Sequence, residues 1–283
     1  MEKTYKQRTT LTMKENPKIS AVMCTYKRFK CVQRAVDCFV AQSYPNKELI
    51  IFNTDTDSPY ELTIELMDAG VKIINQSIDE VTNLPYTNVG AIRRDALQHA
   101  TGDYVITWDD DDIWLDFFMQ QAIDRMKETG LPSFKPEKSF FYAGDNLRLV
   151  KNTLEASVVA DIQKVREYGY HLETGKEGLA WYTKMRDNRE LTEHDSHYIP
   201  AYCFCWQDSQ NMLAPHKQSG DINNPDNFEN HKNQSIDPVD GRHLKVTSPD
   251  FTKDVTLWEY YFFLHENMHY YPQELVTKYL LPQ

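Results

Sequence analysis

The sequence predicts an α/β fold in which a mostly parallel β-sheet is covered by helices on both faces. Through the first 115 residues, short apolar runs rich in β-branched side chains alternate with longer segments whose apolar residues recur at helical spacing. Polar segments follow several of the apolar runs directly. This alternation is typical of strand–helix–strand units, whose strands pair in parallel and are buried on both faces.

The first half of the chain divides into elements of ordinary length. Strands are predicted at residues 18–25, 48–52, 71–74 and 104–108, and helices at 29–42, 59–69 and 87–100. The polar, proline-containing stretch 43–46 ends the first helix, and Gly102 opens the last strand.

The second half is less regular and predicts a more irregular region beside the sheet. Helices are expected at 117–128, 161–169 and 256–267, and strands at 139–142, 147–150 and near 269–271. Two aromatic stretches, 177–183 and 199–206, look β-like or irregular. The long polar stretch 220–241 favours a lid or a mobile insertion.

Composition places the chain among globular proteins. It has 283 residues, of which 41% are hydrophobic, and no run approaches the roughly 18 to 20 apolar residues of a membrane span. Residues 1–17 are polar and predict a flexible basic arm, not a signal peptide. Five cysteines, an odd number, predict free thiols in a reducing compartment, so we expect a cytoplasmic protein, in the host cytoplasm if it is viral.

Four consecutive aspartates, residues 109–112, follow the predicted strand 104–108. Neighbouring carboxylates repel one another strongly unless positive charge lies among them. A divalent cation held by oxygen ligands would supply that charge. The alternative is a solvated acidic turn or a helix N-terminus, where aspartates are favourable without a ligand.

Two further polar segments follow predicted strands in the same way, residues 25–28 and residues 53–57. In a parallel sheet the carboxyl ends of the strands meet at one edge, and ligands bind in the crevice beyond that edge. The three segments should therefore converge. Convergence favours a ligand site over a stray acidic patch.

Four segments, at residues 19–28, 48–57, 88–97 and 102–112, follow one another in the order and spacing of a known family. The chain resembles the family 2 glycosyltransferases, whose GT-A fold is Rossmann-like and whose Asp-X-Asp signature ends the last segment. The resemblance implies that residues 18–115 form a nucleotide-sugar-binding half. Residues 116–283 would then be the acceptor-binding half of the same domain.

The resemblance further implies a nucleotide-diphosphate sugar donor and a Mn²⁺ or Mg²⁺ ion that bridges its phosphates. Asp111 would be the main metal ligand and Asp109 the second, with Asp109 nearer the ribose. Asp112 is an alternative ligand, because a run of four allows a shift by one. Asp110 is counted among the nucleotide-binding residues. A divalent ion held by carboxylates would neutralise the leaving diphosphate.

Other residues of the matching segments are expected to bind the nucleotide. Thr25, Tyr26 and Arg28 would line its pocket, and Arg94 would reach the diphosphate. Where family members commonly carry an aspartate that contacts the base, this chain has Asn53. An amide can still bond a pyrimidine edge through a donor and an acceptor, so a UDP-sugar is favoured.

An inverting transferase needs a carboxylate that accepts the proton of the acceptor hydroxyl. The family places it at the start of a late helix, and Asp254 fits, although Lys253 replaces the usual glutamate. Asp250 and Glu259 are the alternatives. Asp254 can equally be read as a favourable charge at a helix N-terminus. Three histidines, His243, His265 and His269, fall near the motif where some members supply a third metal ligand, although scattered histidines are usually surface or core residues.

The leading hypothesis is therefore a metal-dependent, inverting hexosyl- or pentosyltransferase acting on a glycan, a small molecule or modified DNA. The DNA alternative is a phage-type enzyme for hydroxymethylated pyrimidines. Nine basic residues against two glutamates in residues 1–34 would attract DNA. Aromatic residues would stack an extruded base: Trp181, Tyr182, Tyr202, Phe204 and Trp206. A second alternative is a nucleotide-sugar-binding module without turnover.

Overall fold

The computed structural model describes residues 13–143, 146–172, 176–192, 197–205, 243–246 and 264–281. Twelve strands lie in these residues and are numbered in chain order. They are β1 (Ile19–Thr25), β2 (Lys47–Asn53), β3 (Glu61–Leu62), β4 (Val71–Asn75), β5 (Tyr104–Thr107), β6 (Ile113–Trp114), β7 (Ser133–Phe134), β8 (Lys138–Ala143), β9 (Asn146–Lys151), β10 (Val159–Asp161), β11 (Tyr202–Cys205) and β12 (His243–Leu244).

The central sheet has six strands in the order β4-β2-β1-β5-β10-β7. Strands β4, β2, β1 and β5 are parallel, whereas β10 pairs with β5 in antiparallel orientation. The mostly parallel sheet was therefore predicted correctly. In the register of β1, Thr25 lies opposite Asn53, and Val22 lies opposite Thr107. The polar segments after β1, β2 and β5 consequently reach the same edge.

Two smaller sheets flank the central one. A four-stranded sheet has the order β6-β11-β8-β9, and β6 begins directly after the aspartate run. A short parallel pair joins β12 to β3. The aspartates therefore form the connection between the central sheet and the four-stranded sheet.

Helices cover both faces of the central sheet, as the strand alternation requires. They are α1 (Phe29–Val40), α2 (Ile64–Asp68), α3 (Val89–Gln98), α4 (Phe118–Thr129), α5 (Ile162–Tyr168) and α6 (Leu179–Asp187). Successive residues of β1 point to opposite faces, so Met23 belongs to the apolar cluster with α1 and α4, and Val22 to the cluster with α3, α5 and α6. Each face of the sheet has its own core.

Three element predictions were wrong. Residues 177–183 lie mostly in α6, because Trp181 and Met185 bury one helical face and override the strand preference of the aromatic residues. The helix expected at 59–69 is reduced to α2, since residues 61–62 pair with β12. The strand expected near 269–271 is a 3₁₀ turn, Met268–Tyr270, followed by a short helix at Gln273–Leu275.

Some expectations meet few described residues. The described part of the predicted N-terminal arm is packed against the fold: the Tyr44 hydroxyl donates to the Pro17 carbonyl (2.5 Å), and Lys127 Nζ donates to the Glu15 carbonyl (2.6 Å). The stretch 220–241 and most of 256–267 lie outside the described residues. No helix in the described ranges is both long and apolar enough to span a membrane.

A glycine fixes the position of α3, which carries Arg93 and Arg94. A Cβ atom at Gly90 would lie 1.8 Å from the backbone oxygen of His171. The helix can approach residue 171 only because Gly90 lacks that atom. Arg93 follows one turn later and is thereby placed above the edge of the sheet.

The opposite, amino-terminal edge of the sheet contains a buried carboxylate, Glu48. Its Oε2 accepts from the ammonium groups of Lys18 and Lys72 (2.8 Å each), and its Oε1 accepts from Ser20 Oγ and the Thr101 N–H at 2.7 and 2.6 Å. Burial raises the pKa of Glu48, but these bonds outweigh it and lower the pKa to about 2. Glu48 therefore stabilises the fold in its ionised form.

We predict that Glu48→Gln lowers the free energy of unfolding at pH 7 by about 3 kcal/mol, the value of a pKa depressed by two to three units. The folded pKa lies below the unfolded one, so this contribution is present above pH ~4.5 and is lost as the pH falls toward about 2. Urea unfolding between pH 7 and 3 measures it. Glu128→Gln, at an exposed position, is the control. If the difference in the free energy of unfolding between wild type and Glu48→Gln does not change with pH, the prediction is wrong.

Candidate functional site

Arg28 is the centre of the site at the carboxyl edge. It follows β1, is only 5% exposed, and donates from Nη1 to Asp110 Oδ1 (2.7 Å) and from Nη2 to Asp111 Oδ2 (3.0 Å). Its backbone N–H donates to the Tyr60 hydroxyl (3.1 Å). The preceding residue, Lys27, has a φ of 53°, which turns the chain sharply from β1 into α1. One guanidinium thus neutralises two of the four aspartates.

Asp110 is buried below this guanidinium. Its second oxygen, Oδ2, accepts a hydrogen bond from Thr25 Oγ1 (2.7 Å). Burial raises the pKa of Asp110 to about 7, although the charge of Arg28 opposes the shift. Both oxygens of Asp110 are therefore occupied, and the residue joins β1 to the loop after β5.

Asp111 and Asp109 differ from Asp110, because each keeps one oxygen without a hydrogen bond in the described structure. Asp111 uses Oδ2 for Arg28, and its backbone oxygen accepts from Arg34 Nη2 (2.6 Å). Asp109 uses Oδ1 for Arg93 Nη2 (2.8 Å), and its side chain is 27% exposed. Asp111 Oδ1 and Asp109 Oδ2 are therefore available to a ligand.

Asp112 has a different environment. It is fully buried, and its two oxygens accept from the Tyr202 hydroxyl (2.5 Å) and the Cys205 N–H (3.0 Å). Both partners belong to β11. Asp112 therefore connects the aspartate run to the four-stranded sheet. Both of its oxygens already accept hydrogen bonds, which disfavours the alternative in which Asp112 binds the metal.

The donor set fits a hard divalent cation that also takes oxygens from its substrate. In the described ranges no group of three or more His, Cys, Asp or Glu side chains is arranged to hold a metal ion. Mg²⁺ and similar ions are commonly held by one or two carboxylates plus substrate phosphates. The free oxygens of Asp109 and Asp111 match that arrangement and do not match an all-protein cage.

Asn53 and Asp55 follow β2 at the same edge. The Asn53 amide donates to the Asp55 carbonyl (2.8 Å) and to Asn75 Oδ1 (2.9 Å), and its own oxygen accepts from the Asp55 N–H (3.0 Å). The predicted base contact of Asn53 would thus have to compete with these bonds. Asp55 is buried, and its Oδ2 has no hydrogen-bond partner. Asp55, the first acid after the strand, is a candidate site residue that the sequence reasoning missed.

The two adjacent arginines of α3 point to different sides. Arg94, expected at the diphosphate, pairs with Asp79 Oδ1 (2.8 Å) and Asp95 Oδ1 (2.6 Å). Arg93 instead contacts Asp109, so it is the helix cation of the site. Neighbouring residues of a helix point about 100° apart, whereas residues three apart lie on the same face. Gly90, three residues before Arg93, was therefore the sequence signal that could have distinguished Arg93 from Arg94. Tyr26 is half-buried in the turn beside Lys27.

The remaining predicted residues are not brought to this site by the described structure. Asp254, Asp250 and Glu259 lie outside the described residues. His243 pairs with Glu61 (3.0 Å), and His265 and His269 are exposed. The aromatic residues proposed to stack a DNA base include three that are buried in the core and cannot do so: Trp181, Tyr182 and Tyr202. Phe204 is partly buried, and Trp206 is not described.

Residues 20–135 match the model of the family described as "Glycosyl transferase family 2". This span contains the whole aspartate site. The chain is 31% identical over 105 residues, 36% of its length, to WcaA of Escherichia coli (strain K12). WcaA is named a putative colanic acid biosynthesis glycosyl transferase. The chain is 24% identical over 135 residues, 47% of its length, to WfgD of Escherichia coli, named a UDP-Glc:alpha-D-GlcNAc-diphosphoundecaprenol beta-1,3-glucosyltransferase. Over residues 20–135 the chain thus matches glycosyltransferase family 2.

The fold agrees with this assignment. The structure of S. aureus TarS residues 1–349 in complex with UDP superposes with a TM-score of 0.51 at 15% identity, covering 69% of this chain and 63% of that 1–349 chain. The protein therefore has the GT-A fold expected from the resemblance. The chain spans 35% of the length of WcaA and 47% of that of WfgD.

We predict that Arg28→Gln destabilises the protein by about 3–5 kcal/mol, because it leaves two buried carboxylates without their cation. Urea unfolding measures the loss. The double variant R28Q/D110N removes one of the stranded charges, so it should be more stable than R28Q. An R28Q protein within about 1 kcal/mol of wild type, the value of an exposed pair, would mean that Arg28 does not hold the aspartates together.

Proposed function

We propose that the protein transfers a sugar from a nucleotide-diphosphate donor, with UDP as the favoured nucleotide, to a hydroxyl acceptor. The observation that carries this proposal is the pair of available oxygens, Asp109 Oδ2 and Asp111 Oδ1, at the carboxyl edge of a GT-A sheet. The other two carboxylates of the aspartate run, Asp110 and Asp112, are already bonded within the protein. The family match over residues 20–135 supports the same reaction class.

The nucleotide diphosphate is expected at the edge that β1, β2 and β5 share. WfgD is named for a UDP-glucose donor, and TarS was crystallised with UDP, which supports a uridine nucleotide here. Thr25 and Arg28 fix the aspartate loop, and Tyr26 and Asp55 lie on the two neighbouring turns. Asp55 Oδ2, an acceptor with no partner, suits the N–H group of a pyrimidine.

Asp111 and Asp109 would hold a Mn²⁺ or Mg²⁺ ion together with phosphate oxygens of the donor. Such an ion, when bound, neutralises charge on the departing diphosphate. Arg28 keeps Asp111 in place through its other oxygen, and Arg93 does the same for Asp109. The protein therefore presents two oriented carboxylate oxygens before the donor binds. The conformational entropy of fixing these side chains is lost on folding and not on binding.

Transfer forms a bond between the acceptor oxygen and the anomeric carbon while the bond from that carbon to the diphosphate oxygen breaks. The hydroxyl proton passes to a carboxylate base on the acceptor side, and we propose Asp254 for that role. Attack opposite the leaving group inverts the anomeric centre. A module that binds the donor without turnover would show neither transfer nor hydrolysis.

We predict that Asp111→Asn weakens UDP binding in the presence of Mn²⁺ by about a hundredfold, because it removes the main ligand charge. Isothermal titration calorimetry measures the affinity with and without Mn²⁺. Asp68→Asn, on the exposed face of α2, is the matched control and should bind as wild type. If wild-type protein binds no nucleoside diphosphate, or if D111N binds UDP normally, the proposed donor site is wrong.

A second prediction concerns the base. Asp254→Asn should lower turnover of the nucleotide sugar by about 10²- to 10⁴-fold and leave donor affinity unchanged, since a general base acts only in the chemical step. Release of UDP from the donor, with water as acceptor, provides the assay. Asp250→Asn and Glu259→Gln are tested beside it. Equal turnover by D254N and wild type would remove Asp254 from the mechanism.

A further inference from the structure

A polar cluster lies next to Asp109 and extends away from the other aspartates. Arg93 donates through Nη2 to Asp109 Oδ1 (2.8 Å) and through Nη1 to Glu155 Oε1 (3.4 Å). Arg93 is 8% exposed, whereas the side chains of Asp109 and Glu155 are 27% and 19% exposed. The guanidinium therefore lies at the buried end of the cluster, and the two carboxylates form its accessible surface.

A glycine leaves the space that the Glu155 side chain occupies in this position. A Cβ atom at Gly178, the residue before α6, would lie 2.1 Å from Cγ and 2.9 Å from Oε1 of Glu155. The backbone angles of Gly178, φ −80° and ψ −11°, are open to any residue. Glycine is therefore needed here for space and not for backbone conformation, and the space is filled by the Glu155 side chain.

The cluster carries more negative than positive charge. Two carboxylates, Asp109 and Glu155, pair with the single guanidinium of Arg93, and the charge of the buried Glu177 also acts on it. Burial lowers the pKa of Arg93, but the charges of Asp109, Glu177 and Glu155 outweigh this and raise the pKa well above its ordinary value. An anionic group placed beside Glu155 would therefore meet a like charge.

The cluster also lacks one hydrogen-bond acceptor. Arg93 Nε is buried and has no partner. In a guanidinium Nε lies on the same edge as Nη2, which is the edge that faces Asp109. An unsatisfied buried donor costs about 1–3 kcal/mol, so a sugar hydroxyl oxygen that reached this edge would bind favourably.

We propose that Glu155 contacts the donor sugar and makes the site select uncharged sugars over uronic acids. The inference rests on the proposed function, because it requires a diphosphate at Asp109 and Asp111. The sugar is bonded directly to that diphosphate, and Glu155 is separated from Asp109 by a single guanidinium. Carboxylate oxygens accept hydrogen bonds from sugar hydroxyls, whereas a sugar carboxylate would be repelled.

Calorimetry with UDP, UDP-glucose and UDP-glucuronate in Mn²⁺ tests the proposal. Wild-type protein should bind UDP-glucose about tenfold more tightly than UDP-glucuronate, the effect of one like-charge contact. Glu155→Gln should remove most of that preference. Gly178→Ala displaces the Glu155 carboxylate without changing any charge, so it should narrow the preference as well. Glu128→Gln, the same substitution on the exposed end of α4, should keep the wild-type ratio.

The outcomes separate the two proposals. If the wild-type protein does not bind UDP, the proposed donor site fails and this inference fails with it. If UDP binds equally to wild type and E155Q but the ratio of the two sugar nucleotides does not change, Glu155 does not face the sugar. A wild-type protein that prefers UDP-glucuronate also overturns the proposal. Melting temperatures identify a misfolded variant. If E155Q does not fold, the proposal is tested by the ratio of the UDP-glucose and UDP-glucuronate affinities in the wild-type protein and in G178A.

Discussion

The ion pairs from Arg28 to Asp110 and Asp111 place one guanidinium where the sheet edge would otherwise collect repelling charges. Burying such a pair stabilises the protein only when the remaining hydrogen-bonding groups are also satisfied. Thr25 satisfies Asp110, and Arg34 binds the backbone oxygen of Asp111. The loop between β5 and β6 is therefore fixed by residues that follow β1. The proposed donor site and the sheet edge therefore form one unit.

The four aspartates of the run have four environments. Asp110 is used within the protein, and Asp112 joins the loop to β11, so these two maintain the architecture. Asp109 and Asp111 are each held by an arginine through one oxygen and retain the other. Electrostatic repulsion between these neighbours is thus relieved mostly by arginines, and a cation has only the remaining charge to balance. An ion that binds two carboxylates weakly alone gains its affinity from donor phosphates.

Much of the fold could be predicted, because the strand–helix alternation and the polar segments after the strands are local signals. Which aspartates remain free could not be predicted, since it depends on the rotation of α3 and on Tyr202, which lies 90 residues after Asp112. Arg93 and Arg94 are indistinguishable by composition and differ only through helical phase. The helix α6 was missed because aromatic residues favour strands locally, whereas here tertiary packing decides. Asp254 lies outside the described residues, so its role stays a prediction.

The central claim is that the protein offers two carboxylate oxygens and that the donor's phosphates complete the metal site. Titration of Mn²⁺ followed by electron paramagnetic resonance, with and without UDP, tests it most directly. We expect weak binding of Mn²⁺ to the protein alone and an affinity at least about tenfold higher when UDP is present, because the two ligands share one site and are linked. Tight Mn²⁺ binding that is the same with and without UDP would contradict it.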